Sequence, residues 1–237
     1  MTCILALDTS TEAGSVAIWQ DGEVLEDFQL LPRQQAQALL PQIKGLLNKA
    51  GIELSQVDAL AFGRGPGSFT GLRIAAASIQ GLALALDRPV IPVSTLEAMA
   101  WSAINCTHTN QPPVSKVLTL LDARMDEVYW CAWQAEQGWP VALMAEQLNA
   151  PEAVSLPAIY AMADSTMADW ALIGSGACYA DRLAAAVTTR LSQQRPDILP
   201  SAKAIVHLAH KAWQQNALLD AADAVPIYLR DNVTHGS

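Results

Sequence analysis

Two aspartates each close a short apolar run: Asp8 after Cys3-Ile4-Leu5-Ala6-Leu7, and Asp122 after Val117-Leu118-Thr119-Leu120-Leu121. Strand-terminal carboxylates that face each other could hold magnesium and position a water or hydroxyl for phosphoryl transfer. The same residues could instead accept hydrogen bonds from turn N–H groups, as short acids routinely do. The turn reading asks for less, and both stay open. Gly174-Ser175-Gly176, following the apolar run Trp170–Ile173, could approach an adenine or a phosphate. Two glycines are a weak signal, however, and an ordinary tight turn accounts for them more readily. Asp8, Asp122, Gly174 and Gly176 are therefore the candidate nucleotide contacts.

The stretch Gly63-Arg64-Gly65-Pro66-Gly67-Ser68-Phe69-Thr70-Gly71 holds four glycines and a proline in nine residues. Its backbone must bend tightly, and Ser68 or Thr70 could cap a helix that follows. A glycine loop opening a helix invites a phosphate. The Gly-Lys-Ser/Thr ending of a P-loop is missing, however, with no lysine between Lys49 and Lys116. The segment Gly65–Phe69 comes near a nucleophile elbow, but its spacing is wrong and no histidine and acid are placed to activate Ser68. His207 and His210 share a helix face without a His-Glu-x-x-His pattern, so no metal site is expected. Trp130 and Trp133 have no basic surround and read as packing residues.

The elements that position these groups follow from periodicity. Cys3–Leu7 reads as a strand covered on both faces, and Asp21-Gly22 as a hairpin turn returning a strand over 24–30. A helix over about 34–50 contains Pro41, which should kink or divide it, and ends at Gly51. Strands are expected over 57–62 and 89–93, and Ser94-Thr95-Leu96-Glu97 fits a capping box. In the helix Gly71–Leu86, steps of about 100° put Leu72, Ala75, Ala76, Ile79, Ala83 and Leu86 on one side. Arg73 and Gln80 form a polar seam. Beyond it lies a second apolar strip of Ile74, Ala77, Ser78, Gly81, Leu84 and Ala85, whose small residues let another helix approach closely, either one of the same chain or one of a partner.

Asn105–Ser115 reads as a linker, after which the opening pattern recurs: apolar strand, aspartate, polar turn, second strand. This suggests an α/β chain with a duplicated βββαβα plan. Domains are expected at 1–104 and 105–237, with a strand at 170–173 and helices from about Tyr179 and Ser201. Hydrophobic residues make up 51% and charged residues 16%, as in an ordered soluble domain. The net charge of −9 argues against independent binding to nucleic acid or anionic membrane, and leaves room for a basic partner. Cys3, Cys106, Cys131 and Cys178 form no Cys-x-x-Cys pair and read as reduced cytosolic thiols. No signal peptide is expected. Nor is any uninterrupted bilayer-spanning run, since Ser78, Gln80 and Gly81 interrupt the nearest one.

The runs Ile4–Ala13, Gly63–Ile74, Val93–Leu96 and Leu121–Tyr129, with the closing Tyr228-Leu229-Arg230, together resemble the bacterial threonylcarbamoyladenosine biosynthesis family TsaB, also called YeaZ. Relatives often carry a histidine near Gln35, and this chain does not. The resemblance implies the two-lobed actin/sugar-kinase/Hsp70-like (ASKHA) fold and a cytoplasmic, non-catalytic subunit in the modification of tRNA adenosine beside the anticodon. It implies that the second strip of the Gly71–Leu86 helix docks the catalytic paralogue TsaD, that the ATPase TsaE joins the pair, and that the isolated chain forms a homodimer. tRNA would be met only through the complex. No cofactor is required, although an adenine nucleotide shared at the partner interface fits the picture. The alternative is an enzyme acting alone, either an ATP-dependent phosphotransferase or a glycoprotease-like peptidase.

Overall fold

The computed structural model describes residues 2–105, 114–161 and 168–230. Most of the expected linker lies outside these, as do Cys106, His108 and His235. The elements begin with β1 (Cys3–Asp8), β2 (Ala13–Gln20), β3 (Glu23–Leu30), α1 (Gln35–Ala50), β4 (Ala59–Gly65), α2 (Phe69–Leu86), β5 (Val90–Ser94) and α3 (Thr95–Asn105). They continue with β6 (Lys116–Arg124), β7 (Glu127–Glu136), β8 (Trp139–Ala142), β9 (Gln147–Asn149), α4 (Ala158–Ala161), β10 (Trp170–Ile173), α5 (Ala185–Thr188), β11 (Leu191–Arg195) and α6 (Ala202–Gln214).

The first sheet has the order β3-β2-β1-β4-β5 and the second β11-β10-β6-β7-β8, with β9 on β7. In each, three strands form an antiparallel meander, a fourth joins the first of them in parallel, and a last one pairs in parallel with the fourth. The duplication is therefore real, and each copy adds a last parallel strand, β5 or β11, to the expected βββαβα plan. This repeated arrangement is the two-lobed ASKHA fold. Strand β11 (Leu-Ser-Gln-Gln-Arg) carries no apolar alternation and escapes sequence reading because it is an edge strand.

Two compact units result: the described residues up to Ala98 together with Pro200–Ile227, and Met99–Leu199 together with the residues from Tyr228. The division expected at 104/105 thus falls inside α3, and the chain returns to the first unit at Pro200. Helix α6 is the reason. It buries Ala202, Ala204, Ile205, Val206, Leu208 and Ala209 and packs on β1, β2, β4 and β5. Ser15 Oγ accepts the Ala202 N–H at 2.8 Å, and Trp19 stacks on His210 with ring centroids 3.8 Å apart. The opposite sheet face presents Leu5, Leu7, Val16, Ile18, Leu60 and Phe62 to Leu39, Ile43 and Leu46 of α1 and Ile79 of α2. Every residue of β1 is buried, as a strand covered on both sides requires.

Local signals acted mostly as read. Asp21 and Gly22 both take positive φ in the two-residue turn, and Gly51 ends α1 in the left-handed region. Pro41 does not divide α1, which runs unbroken while Leu39, Ile43 and Leu46 anchor it in the core. In the second unit, Trp130, Trp170, Leu118, Leu120 and Leu172 form the core with Val154, Leu183 and Val187. Strand β6 continues two residues past Asp122, the third strand of the duplicated plan is split into β8 and β9, and the helix expected near Tyr179 is a 3-10 stretch, Ser175–Arg182. Helix α2 is long and apolar enough to cross a bilayer by length and composition, but its Leu72, Ala75, Ala76, Ile79 and Ala83 are buried in the unit.

Candidate functional site

The glycine loop is built to receive the segment that ends β1. Ser68 N donates to Ser10 O at 2.7 Å, and Thr9 Oγ1 donates to Gly71 O at 2.7 Å. A Cβ at Gly71 would overlap the Thr9 carbonyl oxygen, and one at Gly67 would press on the Ser10 backbone. Close backbone approach accounts for these glycines. Ser68 caps α2 by accepting the Gly71 N–H at 3.4 Å, the role expected of it. The Gly65–Pro66 peptide is cis.

The two strand-end aspartates occupy different environments. Asp8 is buried, and its Oδ1 accepts both Ser10 N (2.9 Å) and Ser10 Oγ (2.7 Å). Its Oδ2 is buried without a hydrogen-bond partner among the described residues and lies where a Cβ on Gly63 would be. Burial pushes its pKa up to about 6, against the opposing pull of the Ser10 hydrogen bonds. Asp122 caps a turn instead: Oδ1 accepts Arg124 N at 2.8 Å, and Oδ2 pairs with Arg124 Nη1 at 3.1 Å. Tyr179 OH also donates to Asp122 Oδ1 at 3.3 Å, and the Asp122 N–H donates to Ser175 Oγ.

Gly174 has φ 100°, and a Cβ there would strike Met99 and the Leu120 carbonyl; Gly176 lies against Leu120 as well. Both glycines let their loop sit directly on β6. Each of the four nucleotide candidates has a local packing or hydrogen-bonding task. Among the described residues no group of three His, Cys, Asp or Glu side chains is placed to hold a metal. His210 is taken up by its stack on Trp19. Trp130 and Trp133 are core residues whose Nε1 groups donate to Asn149 Oδ1 (3.0 Å) and Thr119 Oγ1 (2.9 Å). Gln35 donates from Nε2 to Thr11 O at 2.8 Å, so it ties α1 to the segment after β1.

The two faces of α2 differ as its periodicity requires. Ala77, Gly81, Leu84 and Ala85 are exposed, Leu84 at 79%, while Ile74 and Ser78 are half-buried and Ile74 leans on the core. A Cβ on Gly81 would meet nothing within 4 Å. The polar seam is occupied on both sides: Arg73 lies 3.8 Å over the Phe69 ring, and Gln80 Nε2 donates to Ala224 O at 3.1 Å.

Sequence reading missed the part played by Arg230. Its guanidinium donates to Ala123 O and Glu127 Oε2 and contacts Met125 Sδ, so it clamps the β6–β7 turn. Arg124, Met125 and Asp126 in that turn all have positive φ. The match of Tyr228-Leu229-Arg230 to a family ending was the only signal for it.

This chain is 37% identical over 232 residues to the tRNA threonylcarbamoyladenosine biosynthesis protein TsaB of Escherichia coli (strain K12), covering 97% of this chain and 95% of that protein. It belongs to the TsaB (YeaZ) family. The TsaB of Haemophilus influenzae (strain ATCC 51907 / DSM 11121 / KW20 / Rd) is 38% identical over 242 residues, with 98% and 94% coverage. The solved structure of YeaZ from Pseudomonas aeruginosa superposes with a TM-score of 0.87 at 41% identity, covering 97% of this TsaB-family chain and all of that one. A family model described as TsaD: tRNA N6-adenosine threonylcarbamoyltransferase matches residues 29–236.

Proposed function

We propose that this TsaB-family chain acts in tRNA threonylcarbamoyladenosine biosynthesis as a non-catalytic scaffold. In this reading the strip Ile74, Ala77, Ser78, Gly81, Leu84 and Ala85 docks the catalytic paralogue TsaD, and TsaE joins the assembly. The observation that carries it is the exposed outer face of α2, where small residues flank Leu84 at 79% exposure. An apolar helix face of this kind is costly to leave in water and is shaped for close helix–helix packing. The TsaD family-model match over residues 29–236 supports paralogy with that partner. The reading places the chain in the cytoplasm, lets the same face pair two copies when TsaD is absent, and brings tRNA in only through the complex. It needs no cofactor in this chain and is compatible with an adenine nucleotide at the partner interface.

The test is to mix the purified chain with TsaD and measure both complex affinity and modification activity for wild type, Ala77→Glu and Gly81→Arg. The expected outcome is loss of pairing with the monomer still folded, because space beside Gly81 is open. Unchanged affinity in both variants would refute the interface. Turnover of ATP with magnesium by the isolated chain, abolished in Asp8→Ala, would replace the scaffold reading with an enzymatic one.

A further inference from the structure

Strand β3 is an edge of the first sheet, with no further strand beside it among the described residues. It pairs with β2 along its whole length, from Glu23 opposite Gln20 to Leu30 opposite Ala13. Leu31 N donates to Glu12 O, its directly opposed residue, at 2.9 Å. In an antiparallel ladder hydrogen-bonded and non-bonded pairs alternate, so Glu23, Leu25, Asp27 and Gln29 spend their backbone groups on β2. The N–H and C=O groups of Val24, Glu26, Phe28 and Leu30 therefore point outward, and no backbone partner meets them among the described residues. Exposed edges are normally blunted by proline, bulges, lysine or shortness. This one has eight residues, no proline, no lysine and an unbroken register.

Its side chains specify what would fit. Phe28 and Leu30 are 41% and 64% exposed, and both lie on the sheet face that α6 covers over Ser15 and Trp19. Asp21, Glu23, Glu26 and Asp27 put four carboxylates in seven residues with no cation among them. The Glu26 carboxylate accepts the Lys203 backbone N–H, and Asp27 accepts the Gln29 side-chain amide. A second copy paired about Glu26 or Asp27 would set these acids against themselves.

We propose that the β3 edge binds an extended, basic polypeptide segment of a partner protein as an added strand. Its backbone would pair with Val24, Glu26, Phe28 and Leu30, its apolar residues would cover Phe28 and Leu30, and its Lys or Arg residues would face Glu23 and Asp27. This surface is separate from the outer face of α2 and does not depend on the scaffold reading.

The probe is a blocked nine-residue peptide alternating lysine and valine, compared with the same peptide N-methylated at its valines. Binding is measured by calorimetry to the full chain, to Phe28→Pro and to Glu23→Lys/Asp27→Lys. Proline at position 28 removes an outward N–H and leaves the β2 ladder bonds intact. The expected result is saturable binding that weakens at least about tenfold on N-methylation, in Phe28→Pro and in the charge-reversed variant. Equal binding of the N-methylated peptide would show charge attraction alone and overturn the proposal. So would no binding, with the acids acting only as edge guards. Concentration-dependent self-association abolished by Phe28→Pro would overturn it in favour of a second copy. If Phe28→Pro fails to fold, the pair of peptides still decides.

Discussion

Thr9 holds Gly71 with both side chain and backbone: Thr9 Oγ1 donates to Gly71 O at 2.7 Å, and the Thr9 carbonyl occupies the place a Cβ on Gly71 would need. This contact locks the end of β1 to the first turn of α2. Gly71→Ala forces backbone against backbone, which no side-chain rotation relieves. A loss of about 2–4 kcal/mol is expected, read as a lower urea midpoint. An unchanged midpoint would mean the loop yields freely.

Asp8 makes stability depend on pH. Burial holds its folded-state pKa at about 6, above the 3.8 expected when unfolded. Between these values the folded chain binds more protons than the unfolded one, so stability falls as pH rises through the window. The full effect is on the order of 3 kcal/mol, from about 1.4 kcal/mol per unit. Asp8→Asn should lose most of this dependence, and urea titrations of both proteins at pH 4 and pH 7 measure it. Parallel curves for the two would contradict the assignment.

The two faces of α2 should respond oppositely to truncation. Ile79 is fully buried, and Ile79→Ala should cost about 2–5 kcal/mol. Leu84→Ala, at a position 79% exposed, should change monomer stability by less than about 0.5 kcal/mol. Thermal melts of the two variants check the contrast.

Arg230 should govern the β6–β7 turn. Removing it leaves Ala123 O and Glu127 without their donor, while Arg124, Met125 and Asp126 stay in a conformation that costs non-glycine residues energy. Arg230→Ala is expected to destabilise the protein by about 1–3 kcal/mol and to speed tryptic cleavage after Arg124. Lys at 230 should rescue only partly, because it cannot reach two acceptors with a planar fork.

Much of the candidate surface was legible in the residues alone. The strip Ala77, Gly81, Leu84 and Ala85 falls on one side of α2 because helical periodicity is local, and the same periodicity assigned Leu72, Ala75 and Ile79 to the core. The repeat of apolar strand, aspartate and turn at Asp8 and Asp122 announced the duplicated sheets, which the two strand orders bear out. Less could be read about what the two aspartates do, since equal spacing conceals unequal burial.

The sequence by itself determined the apolar strands, the helix faces and the turn glycines, because each depends on neighbours a few residues away. Tertiary structure alone decided that α6 returns to the first unit, that polar β11 becomes a strand, that Asp8 is sealed while Asp122 caps a turn, and that β3 keeps an open edge. Those outcomes depend on which distant surface covers each group, and an apolar face or a row of amides carries no mark of the partner that will meet it.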